Sequence, residues 1–337
     1  MTHELKRIIK AYVRARDKNI KSVMATVVAL EGSSYRRPGV RMLMSAEGLF
    51  TGAVSGGCVE KEIWRQAQDV FTTGIPRMMT YDGRYRLGCE GILYILIEPF
   101  VPDEGFITSF WKSISERNHL KCRSIFSRED KVHDSMGTSF DFGNGPVGLR
   151  PDFQNRQELE SFEQEMTPCH QLYIIGAEHD AVQLCSYASM TGWEVSIITQ
   201  PSEEKDIKDF PGATNLMAVS AEEFDVSKID EETSVVLMTH SYVKDLSYLI
   251  ALSSTAPRYL GLLGPMARRE KILDELLERQ PDISIDFIEN IYGPSGLDIG
   301  AETPGEIAVS IVAEILAVCR NTQPHYLKDK QGAIHEA

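Results

Sequence analysis

Long apolar runs are missing from this chain. The most apolar stretch, Ile92 to Phe100, contains Glu98 and Pro99 and is far shorter than the roughly 20 residues a membrane-spanning helix needs. The start, Met1-Thr2-His3-Glu4-Leu5-Lys6, has no apolar segment behind it, so no secretory signal is expected and the location is expected to be cytoplasmic. Cysteine is scarce: Cys58, Cys89, Cys122, Cys169, Cys185 and Cys319 are scattered, with no C-x-x-C pair. That argues against a zinc knuckle or a disulfide framework, and six cysteines cannot supply the roughly eight thiolates of two [2Fe–2S] centres. Positive charge is also short, with 35 Lys and Arg against 49 Asp and Glu and a net charge of -14. Sequence-independent binding to nucleic acid or to an anionic membrane surface is therefore disfavoured, although local basic clusters can still hold a small anion. No internal repeat or low-complexity tract is present.

What the chain does have is enough length for two domains. Its 337 residues are 42% hydrophobic and 25% charged, which suits a globular protein with a large core. Leu5, Ile8, Ile9, Tyr12 and Val13 recur at helical spacing, and the β-branched stretch Lys21–Leu30 reads as a strand. Short strands are expected at Val40–Ser45 and Leu49–Val54, a helix at Cys58–Phe71, and strands at Arg77–Tyr81 and Ile92–Glu98. The stretch Pro99–Pro151 is less regular, with a helix expected near Glu104–Arg117 and paired strands at Lys121–Ser127 and Thr138–Phe142. Asp152–Thr167 is polar and acidic and reads as a linker or surface helix. From Gln171 the pattern becomes strand–helix alternation, with strands at Leu172–Ile175, Glu194–Thr199, Ser234–Thr239 and Tyr259–Leu263 and a helix at Ala181–Met190. Such alternation implies a doubly wound parallel sheet. The last strong helix opens with Thr303 as N-cap, Pro304 at its first position and Glu306 completing a capping box.

Five constellations could carry chemistry. In Gly32-Ser33-Ser34-Tyr35-Arg36-Arg37-Pro38-Gly39, exposed amides, two serine hydroxyls and the Arg36–Arg37 pair suit phosphate; the plainer alternative is a turn with solvated arginines. Ser55-Gly56-Gly57-Cys58 delivers a Gly-Gly turn into a helix N-terminus, where amides converge on an anion and a thiol is acidified. Cys58 there could ligate a soft metal or carry sulfur, against the alternative of a small residue closing a tight turn. Cys89, between Gly88 and Glu90-Gly91, is exposable but gains meaning only if its loop approaches Cys58. Gly176-Ala177-Glu178-His179 lies where a dinucleotide fingerprint would sit, yet Glu178 replaces the second glycine and the next strand ends in Thr199-Gln200 without an acid. NAD(P) is therefore not expected. His179 is a ligand or proton carrier, or a helix-start histidine satisfied by its neighbours. Finally Thr239-His240-Ser241, Gly261-Leu262-Leu263-Gly264-Pro265 and Gly293–Gly300 are C-terminal loops, the first two following expected strands, that border the expected crevice, with Arg268 and Arg269 adding positive charge.

These residues resemble the XdhC/CoxI family. Ala25 through Ser34, Arg37-Pro38-Gly39, Gly52 through Glu60 and Leu87 through Gly91 look like its N-terminal domain. Gly176–His179, Thr239–Ser241 with Asp245, Tyr259–Gly264 and Pro294–Ala308 look like its Rossmann-like C-terminal domain. The resemblance implies an α+β XdhC/CoxI domain over 1–100, a variable segment and linker over 101–167, a Rossmann-like domain over 168–322 and a polar tail over 323–337. It also implies an accessory protein that binds molybdenum cofactor transiently, as molybdopterin or its nucleotide form. Such a protein assists sulfuration by a cysteine desulfurase and passes the cofactor to a xanthine-dehydrogenase-like molybdoenzyme. On that reading Ser33, Ser34, Arg36, Arg37, Ser55, Gly56, Gly57, Cys58, Cys89, Gly176, His179, His240, Gly261 and Gly264 line cofactor sites. Cys58 faces the metal, and a homodimer is expected. Two rivals remain: an NAD(P)-dependent oxidoreductase on the second domain, and a ligand-free docking scaffold.

Overall fold

A computed structural model describes residues 1–32, 37–85, 91–153 and 159–331, without the side chains of Cys58 and Tyr85. The chain divides into two compact units, the first taking in residues 1–168 and the second residues 169–329. Among the described residues no helix is long and apolar enough to cross a membrane.

The first unit begins with α1 (Thr2–Arg16), whose buried residues Leu5, Ile8, Ile9 and Tyr12 form one stripe, as the i, i+3, i+4, i+7 spacing dictates. There follow β1 (Ser22–Glu31), β2 (Arg41–Ser45), β3 (Phe50–Gly52), α2 (Cys58–Thr73), β4 (Arg77–Asp82), β5 (Ile92–Pro99) and α3 (Glu104–Ser115). The five strands make an antiparallel sheet in the order β3-β2-β1-β5-β4. Strand alternation sends Val23, Ala25, Val27, Met42, Ile95 and Ile97 to one face, where α2 covers them with Val59, Ile63, Ala67 and Val70. Met24 and Leu43 point the other way, to α1, α3 and a second sheet.

That second sheet consists of β6 (Leu120–Phe126), β7 (Gly137–Asp141), β8 (Pro146–Gly148) and β9 (Glu160–Met166), antiparallel in the order β8-β7-β6-β9. The stretch 152–167, which reads from the sequence as linker or surface helix, therefore ends in a strand. β9 is an edge strand whose exposed positions carry Glu160, Ser161, Glu163 and Glu165, so its composition hides a period-two pattern of Phe162, Gln164 and Met166. Between the two sheets lies a buried polar group. Glu98 is fully buried; its Oε2 accepts the Thr138 N–H at 3.0 Å and its Oε1 the Thr138 hydroxyl at 2.6 Å. Burial pushes its carboxyl up to about 7, and its hydrogen bonds to Thr138 offset only part of that.

The second unit contains β10 (Gln171–Ile175), α4 (His179–Met190), β11 (Glu194–Thr199), β12 (Ala213–Ala218), β13 (Thr233–Leu237), α5 (Tyr242–Leu252), β14 (Tyr259–Leu262), α6 (Met266–Arg279), α7 (Ile285–Glu289), β15 (Ile291–Tyr292) and α8 (Pro304–Cys319). These six strands are parallel, in the order β12-β11-β10-β13-β14-β15. This is the doubly wound, Rossmann-like arrangement, with its topological switch point between β10 and β13. α5 and α6 cover one face; α4 and α8 cover the other. α8 begins as its sequence requires: Thr303 Oγ1 accepts the Glu306 N–H at 3.4 Å and Glu306 accepts the Thr303 N–H at 2.9 Å.

Candidate functional site

In the first unit the motif-bearing loops leave the first sheet at one end. Glu31, the last residue of β1, pairs with Ile92, the first of β5, which pairs with Asp82, the last of β4. β2 starts and β3 finishes at that same end, because both are antiparallel to their neighbours. The β1–β2, β3–α2 and β4–β5 connections, which carry the Ser33–Arg37, Ser55–Cys58 and Cys89 motifs, therefore share an end of the sheet. Val54 and Val59, on either side of the Ser55–Cys58 turn, pack in one apolar cluster with Leu30, Tyr81 and Leu93. Ser33, Ser34, Arg36 and Cys89 lie outside the described residues, as does the side chain of Cys58. Arg37 is exposed.

The turn into α2 is built around Glu60. Its carboxylate accepts the Ser55 N–H at 2.5 Å, the Gly57 N–H at 2.7 Å and the Ser55 hydroxyl at 3.2 Å. Burial alone would raise its pKa, but these donors outweigh burial and hold it below the ordinary carboxylate value. Two amides that the sequence offers to a phosphate are thus already taken by an anion of the chain itself. The signal is legible in the sequence, since a glutamate three residues after an N-cap is the reciprocal half of a capping box. Gly57 sits at φ 121°, a region glycine occupies without strain. A Cβ on Gly56 or Gly57 would meet no described residue within 4 Å. The amides of Gly56 and Val59 have no hydrogen-bond partner among the described residues. Cys58 is the first residue of the helix that this turn orients.

In the second unit the expected residues gather at the carboxyl edge of the parallel sheet. Glu178 and His179 are exposed at the start of α4. Across the switch point, His240 Nε2 lies 3.5 Å from Asp180 Oδ2. His240 has φ 56°, a left-handed conformation. Asp245, fully buried, accepts the Thr239 N–H at 3.2 Å and the Thr239 hydroxyl at 2.6 Å, while Arg268 donates to its other oxygen at 2.5 Å. Asp180 escapes a reading of the sequence alone, where an acid in the first turn of a helix is an ordinary dipole partner.

Packing accounts for the glycines of this edge. A Cβ on Gly176, at φ 142°, would collide with the Met238 carbonyl oxygen. On Gly261 it would lie 2.5 Å from Ser295 Oγ, and on Gly264 2.9 Å from Arg268 Cδ. The loop 293–300 is tied to α8, with the Ser310 hydroxyl donating to the Leu297 carbonyl at 2.6 Å and the Gly296 N–H to Glu314 at 2.8 Å. Among the described residues no three His, Cys, Asp or Glu side chains are placed to hold a metal ion. Among the described residues Cys122, Cys169, Cys185 and Cys319 form no disulfide; the first three are buried and the last is half-buried.

Comparison with known proteins agrees with this architecture. Residues 15–82 match the model of the XdhC and CoxI family, and residues 172–315 match the XdhC Rossmann domain. The chain is 28% identical over 318 residues to a protein of Bacillus subtilis (strain 168) named as a probable xanthine dehydrogenase subunit, covering 88% of this chain and 92% of the relative. It is 26% identical over 330 residues to the "molybdenum cofactor insertion chaperone PaoD" of Escherichia coli (strain K12), covering 94% and 90%. A crystal structure from Bacillus halodurans, described as a xanthine dehydrogenase, superposes with a TM-score of 0.76 at 26% identity, covering 94% of this chain and 96% of that one. With both of its units matched, one by each model, the chain belongs to the XdhC and CoxI family.

Proposed function

We propose that this protein is a carrier for molybdenum cofactor, which it receives as cargo, holds during sulfuration by a cysteine desulfurase and hands to a xanthine-dehydrogenase-like molybdoenzyme. The observation that carries the reading is that the strand ends flanking the three motif-bearing connections lie at one end of the first sheet. The cofactor couples a phosphate, or a nucleotide-extended diphosphate, to a sulfur-ligated metal. A loop with Ser33, Ser34, Arg36 and Arg37 supplies donors for the former, and cysteines at 58 and 89 supply soft ligands for the latter. No described residue lies within 4 Å of a Cβ at Gly56 or Gly57, which suits close approach of a ligand to the backbone. The Gly56 and Val59 amides remain as donors once Glu60 has taken those of Ser55 and Gly57. The name of the Escherichia coli relative is in keeping with this role.

In the second unit, Gly176, His179, His240, Gly261 and Gly264 lie at the carboxyl edge of the parallel sheet, with Glu178 and Asp180 beside them at the start of α4. Two carboxylates where a diphosphate would lie disfavour NAD(P), so the unit is assigned to the cargo or to docking and not to hydride transfer. The carrier is taken to work in the cytoplasm as a homodimer, a state that sedimentation reads directly. The deciding experiment is anaerobic binding of molybdenum cofactor to the apo protein and to Cys58→Ala. Stoichiometric binding, at least tenfold weaker in the variant, is expected. Equal binding by both would remove Cys58 from the site, and no binding by the wild type would leave the docking scaffold as the better reading.

A further inference from the structure

The first unit holds a cavity that the proposed carrier role does not use. It lies between the C-terminal half of α1 and the strands β2 and β3, at the start of β1 and the end of β2, which is the opposite end of the sheet from the cofactor motifs. Its volume is about 370 Å³. At about 30 Å³ per water that is room for roughly a dozen waters, and it falls in the size range of small-molecule sites. The space exists because α1 presents Ala11 and Ala15, one turn apart, over Leu43 and Ile20. Larger side chains at those two positions would close it.

Its lining has three chemical zones. The walls are apolar. The floor carries the hydroxyls of Ser22 and Ser45, cross-strand partners on one face. Ser45 Oγ accepts the Leu49 N–H at 3.2 Å. Ser22 is 4% exposed and its Oγ has no hydrogen-bond partner among the described residues, so the cost of taking this hydroxyl out of water is not offset. The lip carries Arg14 on α1, Lys18 in the turn just past its C-terminal end, and Glu47 opposite, a net of one positive charge on a chain of net charge -14. Neither Arg14 nor Lys18 makes an ion pair with a described residue. Leu49 and Phe50, 69% and 45% exposed, extend the apolar surface at the rim.

We infer that this cavity is a binding site for a small amphipathic monoanion. The apolar body of the ligand lies against Ala11, Ala15 and Leu43. A polar group of the ligand satisfies the Ser22 hydroxyl, and the negative charge of the ligand meets Arg14 and Lys18. The probe is 1-anilinonaphthalene-8-sulfonate, titrated by fluorescence into the full-length protein. Saturable one-to-one binding is expected, weakened at least tenfold in Ala15→Leu, which fills the cavity at a position where leucine is nearly as good a helix former as alanine. Arg14→Ala/Lys18→Ala should weaken binding about fivefold and remove most of its dependence on salt between about 50 and about 500 mM. Ser22→Ala should weaken binding several-fold while leaving the thermal midpoint of the unliganded protein unchanged or raised. Because Arg14 and Lys18 are at the lip and not in the core, their double variant keeps the test decisive should Ala15→Leu fail to fold. Absence of saturable binding by the wild type would overturn the assignment, as would wild-type affinity in a folded Ala15→Leu or in the double variant.

Discussion

Replacing Glu98 by glutamine should change how the first unit responds to pH. Glu98 is fully buried between the two sheets, and its carboxyl is pushed from the ordinary 4.5 up to about 7 by burial. In the unfolded chain it ionises near 4.5, whereas in the folded chain it keeps its proton until about 7. Across that window the folded state binds more protons, so stability falls as pH rises from about 4.5 through about 7 and is flat above. At about 1.4 kcal/mol per pH unit the full effect is about 3 kcal/mol, of which about 2.5 kcal/mol falls between about pH 5 and about pH 8. Glutamine has nearly the same shape and no charge to bury. Its amide can donate to Thr138 Oγ1, whose own proton can turn to Ser124 Oγ, 2.8 Å away. Urea unfolding followed by tryptophan fluorescence, with Trp64 and Trp111 reporting on the first unit, measures the difference. Relative to Glu98→Gln, the wild type should lose about 2.5 kcal/mol between about pH 5 and about pH 8. Curves that run parallel within about 0.5 kcal/mol across that range would refute the reasoning, because no differential protonation would then exist.

Glu60→Ala should cost about 1–2 kcal/mol, the usual loss of a cap with its buried donors left unpaired, and hydrogen exchange should speed up at the Ser55 and Gly57 amides. Because the Glu60 carboxyl is held below its ordinary value, the stability it contributes is present above about pH 4.5 and is lost as pH falls through its depressed value; titrating wild type against Glu60→Gln in acid would expose a missing effect. Gly176→Ala should destabilise the second unit by more than about 2 kcal/mol, since the added methyl meets the Met238 carbonyl at φ 142°. A loss of ligand binding at unchanged thermal stability would instead give this glycine a contact role. Asp245→Ala strips Arg268 of its carboxylate partner and Thr239 of the acceptor for its N–H and its hydroxyl, and should cost about 3–5 kcal/mol in chemical denaturation; an effect below about 1 kcal/mol would mean that water replaces the carboxylate.

Periodicity in the sequence determined most of the elements, because an element that buries one face must repeat apolar residues at its own period. α1, α2, β10, β11 and β14 were legible for that reason, and the start of α8 for its cap chemistry. The edge strands β9 and β12 were not, since an edge strand with little buried surface needs few apolar residues and its backbone pairing leaves no mark on composition. The motifs announced which loops carry chemistry, but they gave each loop separately. Only the antiparallel register of β1 to β5 brings the strand ends that flank 32–40, 53–57 and 83–91 to one end of the sheet. The spacing of Glu60 from the N-cap signals a capping box, and the folded turn adds that its carboxylate takes the Ser55 amide as well as that of Gly57. The glycines at 176, 261 and 264 read as ligand glycines in the chain, while in the fold each has a neighbour in the place of its Cβ. The cavity beside Ser22 has no motif at all. It depends on Ala11 and Ala15 facing β2 across the sheet, and a void between distant segments is a property of packing, which local sequence does not encode.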